Sequence, residues 1–253
     1  MVMFAYPGDP GKLALRGVSI TIRPGQLVVV VGANGSGKST LIKLLTRIYD
    51  PISGAILLDG ERLSSYRQHT LHQATAVLSQ GHHLFPLSMG ENIGLGCVER
   101  MHDERAVHAA AQAGGATSGN NLLGKEGEAL RKRLDALDKP VEVSGGETQR
   151  IVAARTFMRF NSGKVRAVLV DEPSSALDPE GELALFDNLR AEREGKTMIF
   201  VTHRFGHLTK YADLIICMKE GQIVEHGVLN ELVDLDGEYK KLYDIQASAF
   251  VTT

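Results

Sequence analysis

The sequence predicts an α/β protein built on a mostly parallel, helix-covered sheet. Strand-like apolar runs alternate with stretches of helical spacing near the N-terminus, and the alternation resumes at residue 165. The continuous apolar run Leu27–Val31 is typical of a strand that is buried on both faces. Alternation of strands with helices favours parallel pairing, because a crossover helix carries the chain from one strand to the next.

The first elements are strands followed by a helix. Residues 2–31 predict strands, and the glycine-rich turn 32–37 leads into a predicted helix over 38–48, which Pro51 and Gly54 end. The later elements that we expect are strands over 56–58, 74–78, 165–170 and 197–202, a hairpin of 214–218 with 222–225, and helices over 180–194, 230–235 and 238–247.

Residues 81–160 differ in character from their surroundings. They lack β-branched runs, and helical spacing is confined to 104–113 and 146–160, on either side of the weakly patterned stretch 114–140. We interpret this region as a helical subdomain inserted into an α/β core. The prediction is a single domain over 1–253, with its core in 1–80 and 161–253 and its helical subdomain in about 81–160.

The composition is that of an ordinary globular protein. Of 253 residues, 43% are hydrophobic and 23% are charged, which excludes a disordered chain, a collagen and a disulfide scaffold. The formal net charge of −2 gives no reason to expect nucleic acid as a partner. Cys97 and Cys217 lack metal-ligand spacing, so we expect two buried or inert thiols in a reducing compartment.

No stretch of the sequence is apolar enough to cross a bilayer. A spanning helix needs about 20 apolar residues, and the run Leu27–Val31 stops at Gly32. Residues 1–11 lack the basic and apolar regions of a signal peptide. We therefore expect a chain that is soluble by itself or reaches a membrane through a partner. Few residues precede Tyr6, so the chain looks like a fragment or a trimmed domain.

A glycine-rich motif follows the buried strand and opens the first helix. It fits the pattern G-x-x-x-x-G-K-[S/T], in which backbone N–H groups and the helix N-terminus bind phosphate oxygens. Lys38 would reach the β- and γ-phosphates, and the Ser39 hydroxyl would ligate Mg²⁺. A chance glycine turn is the alternative. The phosphate-binding residues that the motif predicts are Gly32, Ala33, Asn34, Gly35, Ser36, Gly37, Lys38, Ser39 and Thr40.

A metal-binding acid is expected at the end of another apolar strand. Asp171 and Glu172 follow the run 168–170. Asp171 would hold Mg²⁺, directly or through water, and Glu172 could act as general base on the attacking water. By itself such a pair is equally an ordinary strand end. After a phosphate loop it indicates a P-loop NTPase core.

A third motif, together with these two, indicates the family. Residues 143–150 read Val-Ser-Gly-Gly-Glu-Thr-Gln-Arg before a predicted helix, and residues 175–178 read Ser-Ala-Leu-Asp. In order with the phosphate loop, the Asp-Glu strand and His203, they make the sequence resemble the nucleotide-binding domain of ABC transporters from Tyr6 to about residue 246. The resemblance implies ATP and Mg²⁺ as ligands, ATP hydrolysis, and an antiparallel β subdomain at the N-terminus.

The resemblance also implies roles for residues outside the phosphate loop. Tyr6 matches the aromatic residue that stacks on adenine, although a core or strand-edge tyrosine is the alternative. Gln80 matches the glutamine that senses Mg²⁺, water and the transport domain, with a solvated loop amide as the alternative. His203 matches the switch histidine, which contacts the γ-phosphate and orients the catalytic water.

Two further matches imply a head-to-tail dimer with two ATP molecules at its interface. Ser144, Gly145 and Gly146 resemble the signature loop, which contacts the γ-phosphate held by the opposite subunit. Asp178 resembles the loop that crosses the dimer interface. The partner would be a second nucleotide-binding domain, identical or different.

Further segments are similar to those of exporters. They are residues 84–93, 212–213 and 221–227, and the tail residues Gly237, Tyr239, Leu242 and Gln246. In exporters the first segment faces the membrane domain, although Phe85 and Ile93 are alternatively core residues of the subdomain. The resemblance implies a transmembrane domain as partner, in the same polypeptide or as a separate subunit, and a place at the cytoplasmic face of a membrane. The transported substrate is not implied.

Two departures from the family pattern stand out. Glu147 replaces the usual Gln, and we expect its carboxylate to point away from phosphate and to cap or pair locally. The stretch 124–143 is longer and more charged than its exporter counterpart. A soluble ABC-type ATPase of DNA repair or translation is an alternative, but such proteins usually carry a coiled-coil insertion or a second cassette. A regulatory subunit without turnover is disfavoured by Glu172 and His203.

Overall fold

The computed structural model describes residues 1–79, 83–116, 144–172, 177–203 and 205–251. The strands are β1 (Val2–Ala5), β2 (Leu13–Val18), β3 (Leu27–Val31), β4 (Leu57–Leu58), β5 (Glu61–Arg62), β6 (Thr75–Ser79), β7 (Ala167–Asp171), β8 (Thr197–Val201), β9 (Leu214–Lys219) and β10 (Gln222–Gly227). The helices are α1 (Lys38–Leu45), α2 (Gln68–Gln73), α3 (Met89–Gly94), α4 (Glu104–Ala113), α5 (Gly145–Phe160), α6 (Pro179–Ala191), α7 (Leu229–Asp234) and α8 (Glu238–Val251). Short 3₁₀ turns occupy Leu63–Ser65, Val98–Arg100 and Thr209–Tyr211.

The central sheet has the strand order β10-β9-β3-β8-β7-β6. Strand β3 runs parallel to β8 and β9, and β7 runs parallel to β8, whereas β10 is antiparallel to β9. Strands β1 and β2 form a separate antiparallel hairpin at the N-terminus. The predicted fold class is confirmed: an α/β P-loop core with a mostly parallel sheet, an N-terminal antiparallel subdomain and a helical insert.

The chain divides into two compact units. The first comprises Met1–Thr75, Arg166–Asp171 and Gly195–Thr253, and the second comprises Ala76–Val165 and Glu172–Glu194. We propose that the second unit contains the helical subdomain that was predicted over about 81–160.

The first unit is built around β3. Every side chain of Leu27–Val31 is at most 1% exposed, because β8 and β9 flank this strand in the sheet and both of its faces are covered. This burial explains why the sequence shows a continuous apolar run there instead of alternation.

The second unit is built around α5. Ile151, Ala154 and Met158 are fully buried along one face of this helix, at the spacing of successive helical turns. Helices α3 and α4 pack against α5. In the described ranges, no helix has the length and apolar character that crossing a bilayer requires.

Several element boundaries differ from the predictions. Helix α1 ends at Leu45 instead of 48, because Arg47 adopts a left-handed backbone with φ of 54° and breaks the helical path. The last helix extends to Val251, past the predicted 247. Helices α2 and α3 were not predicted, since six residues are too few to show a helical period. A Ser88–Glu91 capping box does mark the start of α3 in the sequence.

Candidate nucleotide site

Glycines shape the turn between β3 and α1. The backbone φ is 148° at Gly32, 78° at Gly35 and 104° at Gly37. A Cβ atom at Gly32 would lie 2.2 Å from the carbonyl oxygen of Met218, and one at Gly37 would lie 2.8 Å from Cδ2 of Leu15. Gly32 is therefore required for its backbone conformation and because a side chain has no room there, and Gly37 is required for its backbone conformation.

Lys38, the first residue of α1, turns its ammonium group back over this loop. Its Nζ donates to the carbonyl oxygens of Gly32 at 2.8 Å and Ala33 at 3.1 Å, and the residue is only 4% exposed. Gly37, which precedes the helix, has no side chain that could cap it. The N–H groups of the first turn and the Lys38 charge together form a site for an anion.

A hydroxyl and a carboxylate meet beside this loop. Ser39 Oγ donates to Asp171 Oδ1 over 3.0 Å, so the first turn of α1 contacts the end of β7. Both groups offer hard oxygen ligands of the kind that Mg²⁺ takes, and Mg²⁺ usually keeps several waters. In the ranges described above, no group of three or more His, Cys, Asp or Glu side chains could hold a metal ion. Because their oxygens lie 3.0 Å apart, Ser39 and Asp171 fit a partial ligand set for magnesium.

The remaining site residues of the first unit follow neighbouring strands. Strands β3, β8 and β7 are adjacent and parallel, so their carboxyl ends lie at one edge of the sheet. The phosphate loop follows β3, Thr202 and His203 follow β8, and Asp171 ends β7. Ligands of open α/β sheets bind in the crevice at this edge.

Glu172, which follows Asp171 in the chain, has an unusual backbone. Its φ is 46°, in the left-handed region that side chains other than glycine rarely adopt. Such a conformation costs about 1–3 kcal/mol and persists where the surrounding structure imposes it, which is common at functional sites. The strain coincides with the residue that the motif predicts as general base.

Tyr6 lies at the end of β1, in an aromatic cluster next to α1. Its ring centroid is 5.1 Å from that of Phe4 and 5.5 Å from that of Tyr49. Its hydroxyl lies 2.9 Å from Thr40 Oγ1, and Lys43 Nζ is 5.2 Å from the ring centroid. The half-buried ring is thus tied to the helix that carries the phosphate loop.

The predicted signature residues lie at the start of α5, where Ser144 and Glu147 form a capping box. Ser144 Oγ accepts from the Glu147 N–H at 3.2 Å, and a Glu147 carboxylate oxygen accepts from the Ser144 N–H at 2.9 Å and from its hydroxyl at 3.0 Å. Gly145 and Gly146 form the first turn. The expectation that Glu147 caps locally is confirmed, and the S-x-x-E spacing is its sequence signal.

Asp178 has local structural partners in the second unit. Its Oδ1 accepts from the Gly181 N–H at 3.1 Å and caps α6. The same oxygen lies 3.5 Å from Nη2 of Arg150, which belongs to α5. Asp178 therefore links the starts of two helices.

The exporter-like segment after residue 83 has both a buried and an exposed part. Ile93 is fully buried, in agreement with the core alternative, whereas Phe85 is 54% exposed with the guanidinium carbon of Arg155 5.3 Å from its ring centroid. Gln80 and the charged stretch 124–143 lie outside the described residues.

Both cysteines are buried, as predicted. Burial, helped by the negative charges of Glu225 and Glu238, raises the pKa of the Cys217 thiol to about 12. A thiol with that pKa is almost entirely protonated at neutral pH and is therefore a poor nucleophile.

Two features near the site were not predicted. Ser36 Oγ is buried in the phosphate loop without a hydrogen-bond partner among the described residues. Gln246, assigned by sequence only to the exporter-like tail, hydrogen-bonds to the backbone on both sides of residue 204. No local pattern signals this contact, because it joins segments that lie far apart in the sequence.

Comparisons with known proteins identify the family of the chain. The family model described as ABC transporter matches residues 15–175. An ATP-dependent lipid A-core flippase of Haemophilus ducreyi is 37% identical over 249 residues, which are 98% of this chain and 40% of that protein. Antigen peptide transporter 2 of Rattus norvegicus is 36% identical over 234 residues, 92% of this chain and 31% of that protein.

A solved structure of a bacterial Atm1-family ABC exporter with ATP bound has the same fold. Its TM-score is 0.83 at 30% identity, and the match covers 97% of this chain and 41% of that one. The chain thus spans less than half the length of the relatives that it matches. With its phosphate loop, its strand-end carboxylates and these relatives, the chain belongs to the ABC transporter family, as an ATP-binding domain of the exporter type.

Proposed function

We propose that this domain binds ATP together with Mg²⁺ and hydrolyses it as the motor of an exporter. The observation that carries the proposal is the contact between Ser39 and Asp171, 3.0 Å long, at the helix that begins with the buried Lys38. An anion site and two oxygen ligands for a metal are thereby adjacent, which is what a magnesium-bound triphosphate requires.

The loop over residues 32–40 receives the phosphates of ATP. Lys38 exchanges its carbonyl acceptors in the loop for β- and γ-phosphate oxygens, and the N–H groups of the first α1 turn bind the same anion. The adenine stacks on Tyr6, whose hydroxyl contact with Thr40 supports this placement of the ring.

Ser39 and Asp171 would hold Mg²⁺, with Gln80 added from the family resemblance. When bound, the ion neutralises charge on the phosphate oxygens.

Glu172 acts as the general base in hydrolysis. Its carboxylate takes a proton from water, the water oxygen bonds to the γ-phosphorus, and the bond from that phosphorus to the bridging oxygen breaks. ADP leaves with the electron pair. Lys38 and His203 stabilise the negative charge that develops on the transferred group.

A second cassette completes each site. Ser144, Gly145 and Gly146 of one copy contact the γ-phosphate that the other copy holds, and Asp178 lies in the loop at the interface. The exposed start of α5 supports this role, because Ser144 and its capping hydrogen bonds face solvent in the single chain.

A membrane domain is the second partner. The relatives named above include a flippase and a peptide transporter, and the chain covers less than half of each. The exposed Phe85 supports a contact surface in the segment after residue 83. The domain would act at the cytoplasmic face of the membrane without nucleic acid as a partner, and the membrane domain would select the cargo.

Glu172→Gln tests the hydrolytic role. Removing the base lowers turnover of ATP by about 100-fold or more while ATP still binds. The variant therefore collects as a closed, ATP-bound dimer, which sedimentation velocity separates from a monomer. Turnover per chain of the unmodified protein rises with protein concentration, because each site needs two copies.

Glu180→Gln is the control, since it likewise removes one negative charge from the second unit, at an exposed residue. It leaves turnover unchanged. A Glu172→Gln variant that stays monomeric with saturating ATP and hydrolyses it at the normal rate contradicts the proposal.

A further inference from the structure

The C-terminal helix contacts the segment that carries His203. In this contact, Oε1 of Gln246 accepts from the Phe205 N–H at 3.2 Å. Its Nε2 donates to the carbonyl oxygen of His203. One side-chain amide therefore bridges two backbone groups that lie on either side of residue 204.

These backbone groups lie beyond the sheet. Strand β8 ends at Val201, and the Thr202 N–H donates to the Val30 carbonyl oxygen at 3.3 Å, just past the end of the strand. The backbone at His203 and Phe205 consequently needs partners outside the strand ladder. A glutamine amide suits both groups, because it contains a donor and an acceptor.

Hydrogen bonds and aromatic packing fix the first turn of α8 in place. The Glu225 carboxylate accepts from the N–H groups of Glu238 at 2.5 Å and Tyr239 at 2.9 Å. The Tyr239 side chain is fully buried, and its ring centroid lies 5.7 Å from that of Phe205. Gln246 is thus presented by a helix that is anchored two turns away, against the same segment.

We propose that Gln246 is a positioning residue for His203 in ATP hydrolysis. This inference rests on the proposed function, in which His203 contacts the γ-phosphate. By holding the backbone on both sides of residue 204, Gln246 fixes where the imidazole lies relative to the phosphate loop. A displacement of about 1 Å in a group of this kind costs up to about 100-fold in rate.

The test measures ATP turnover and histidine NMR spectra of two variants. Gln246→Leu removes both hydrogen bonds, and Gln246→Glu keeps the acceptor but loses the donor to the His203 carbonyl. We expect kcat to fall about fivefold or more in both, with KM for ATP within about twofold, because the phosphate loop is untouched. The thermal midpoint falls by no more than about 4 °C.

The NMR readout reports on His203 directly. The chain has 9 histidines, and the His203→Ala variant identifies the His203 signal by its loss. In Gln246→Leu we expect the His203 signal to shift or broaden with bound Mg-ATP, while the others stay in place. Ile245→Ala, at an exposed neighbour on the same helix, is the control and changes neither turnover nor the spectrum.

Two outcomes overturn the inference. In the first, Gln246→Leu has normal kcat and an unchanged His203 signal. In the second, many histidine signals move together and KM rises, which indicates a general structural role. A failure of the proposed function is distinct from both, since the unmodified chain and Glu172→Gln would then show the same turnover. The NMR comparison needs no turnover and decides on Gln246 in either case.

Discussion

The two glycine-rich helix starts of this domain are built in opposite ways. Helix α1 begins after a glycine, and the buried Lys38 occupies the space above its first turn. Helix α5 begins with a capping box, in which Glu147 accepts from both polar groups of Ser144. The first start can accept an anion without losing a favourable charge interaction. Phosphate oxygens would replace the carbonyl oxygens of Gly32 and Ala33 as acceptors for the Lys38 ammonium group. At the second, the phosphate of the proposed partner chain would compete with the Glu147 carboxylate for the Ser144 N–H and hydroxyl hydrogens.

This difference indicates an order of events. The proposed first site, which already contains a positive charge, would bind ATP in the single chain. The proposed second site, which satisfies its own donors, would contact phosphate only when another chain brings the phosphate close. We therefore distinguish two proposed sites. The resident site is the loop 32–37 with Lys38 in the first unit, and the second site is the start of α5 in the second unit, which needs another chain.

The largest expected effect comes from removing the positive charge of the resident site. Lys38→Ala weakens ATP binding by more than about 100-fold, because the β- and γ-phosphates lose their buried cation. Titration with a fluorescent ATP analogue measures this loss. Lys164→Ala, an exposed lysine of the second unit, is the control and binds normally. Equal affinities in the two variants would remove the distinction between the helix starts.

The two buried thiols allow a comparison of the units themselves. Cys217 lies in the first unit, opposite Val31 at the base of the phosphate loop, and Cys97 lies in the second. ATP at about 100 times its Kd stabilises the unit that binds it by about 2.7 kcal/mol. We expect labelling of Cys217 by a thiol reagent to slow by up to about 100-fold and that of Cys97 to slow much less.

Mass spectrometry of the labelled peptides measures both rates under conditions where the single chain stays monomeric. Lys38→Ala serves as the control, since ATP then protects neither thiol. If ATP slows both thiols equally in the unmodified chain, the two units open together and do not respond separately to nucleotide.

The smallest effect is expected at Glu147. Glu147→Gln keeps an acceptor for the Ser144 N–H but removes a negative charge from the proposed γ-phosphate contact. We expect ATP-driven dimers at about two- to fivefold lower protein concentration, by analytical ultracentrifugation. Glu147→Ala also loses the cap, which costs about 1 kcal/mol of stability. Dimerisation that is unchanged in Glu147→Gln and in the control Glu180→Gln would show that the carboxylate does not oppose phosphate.

The sequence was most informative where structure is decided locally. The phosphate loop, the buried strand before it and the Asp171 strand end were predictable, because glycine chemistry and apolar periodicity act over a few residues. The early end of α1 was not, since Arg47 adopts its left-handed backbone while its guanidinium donates to the Tyr66 carbonyl at 2.7 Å. That partner lies 19 residues further along the chain.

The same distinction applies to the site. The motifs placed Ser39 and Asp171 in one magnesium-binding role, and these residues lie in contact although 132 positions separate them. Gln246 was outside such reasoning, because its contact with the His203 segment depends on how α8 docks. The Arg150 partner of Asp178 was hidden for the same reason. The cap from Asp178 to the Gly181 N–H is local, and Asp before Pro179 is a recognisable helix start.

The left-handed backbone of Glu172 has a consequence for anyone who evolves this domain in the laboratory. Glycine or asparagine relaxes such a conformation, so a library sorted only by heat resistance would favour replacing Glu172. Under the proposed function, the selected variants would be stable proteins that bind ATP without hydrolysing it. Thermal stability and ATP turnover would therefore be opposed at this one position, and a screen must select for turnover to keep the glutamate.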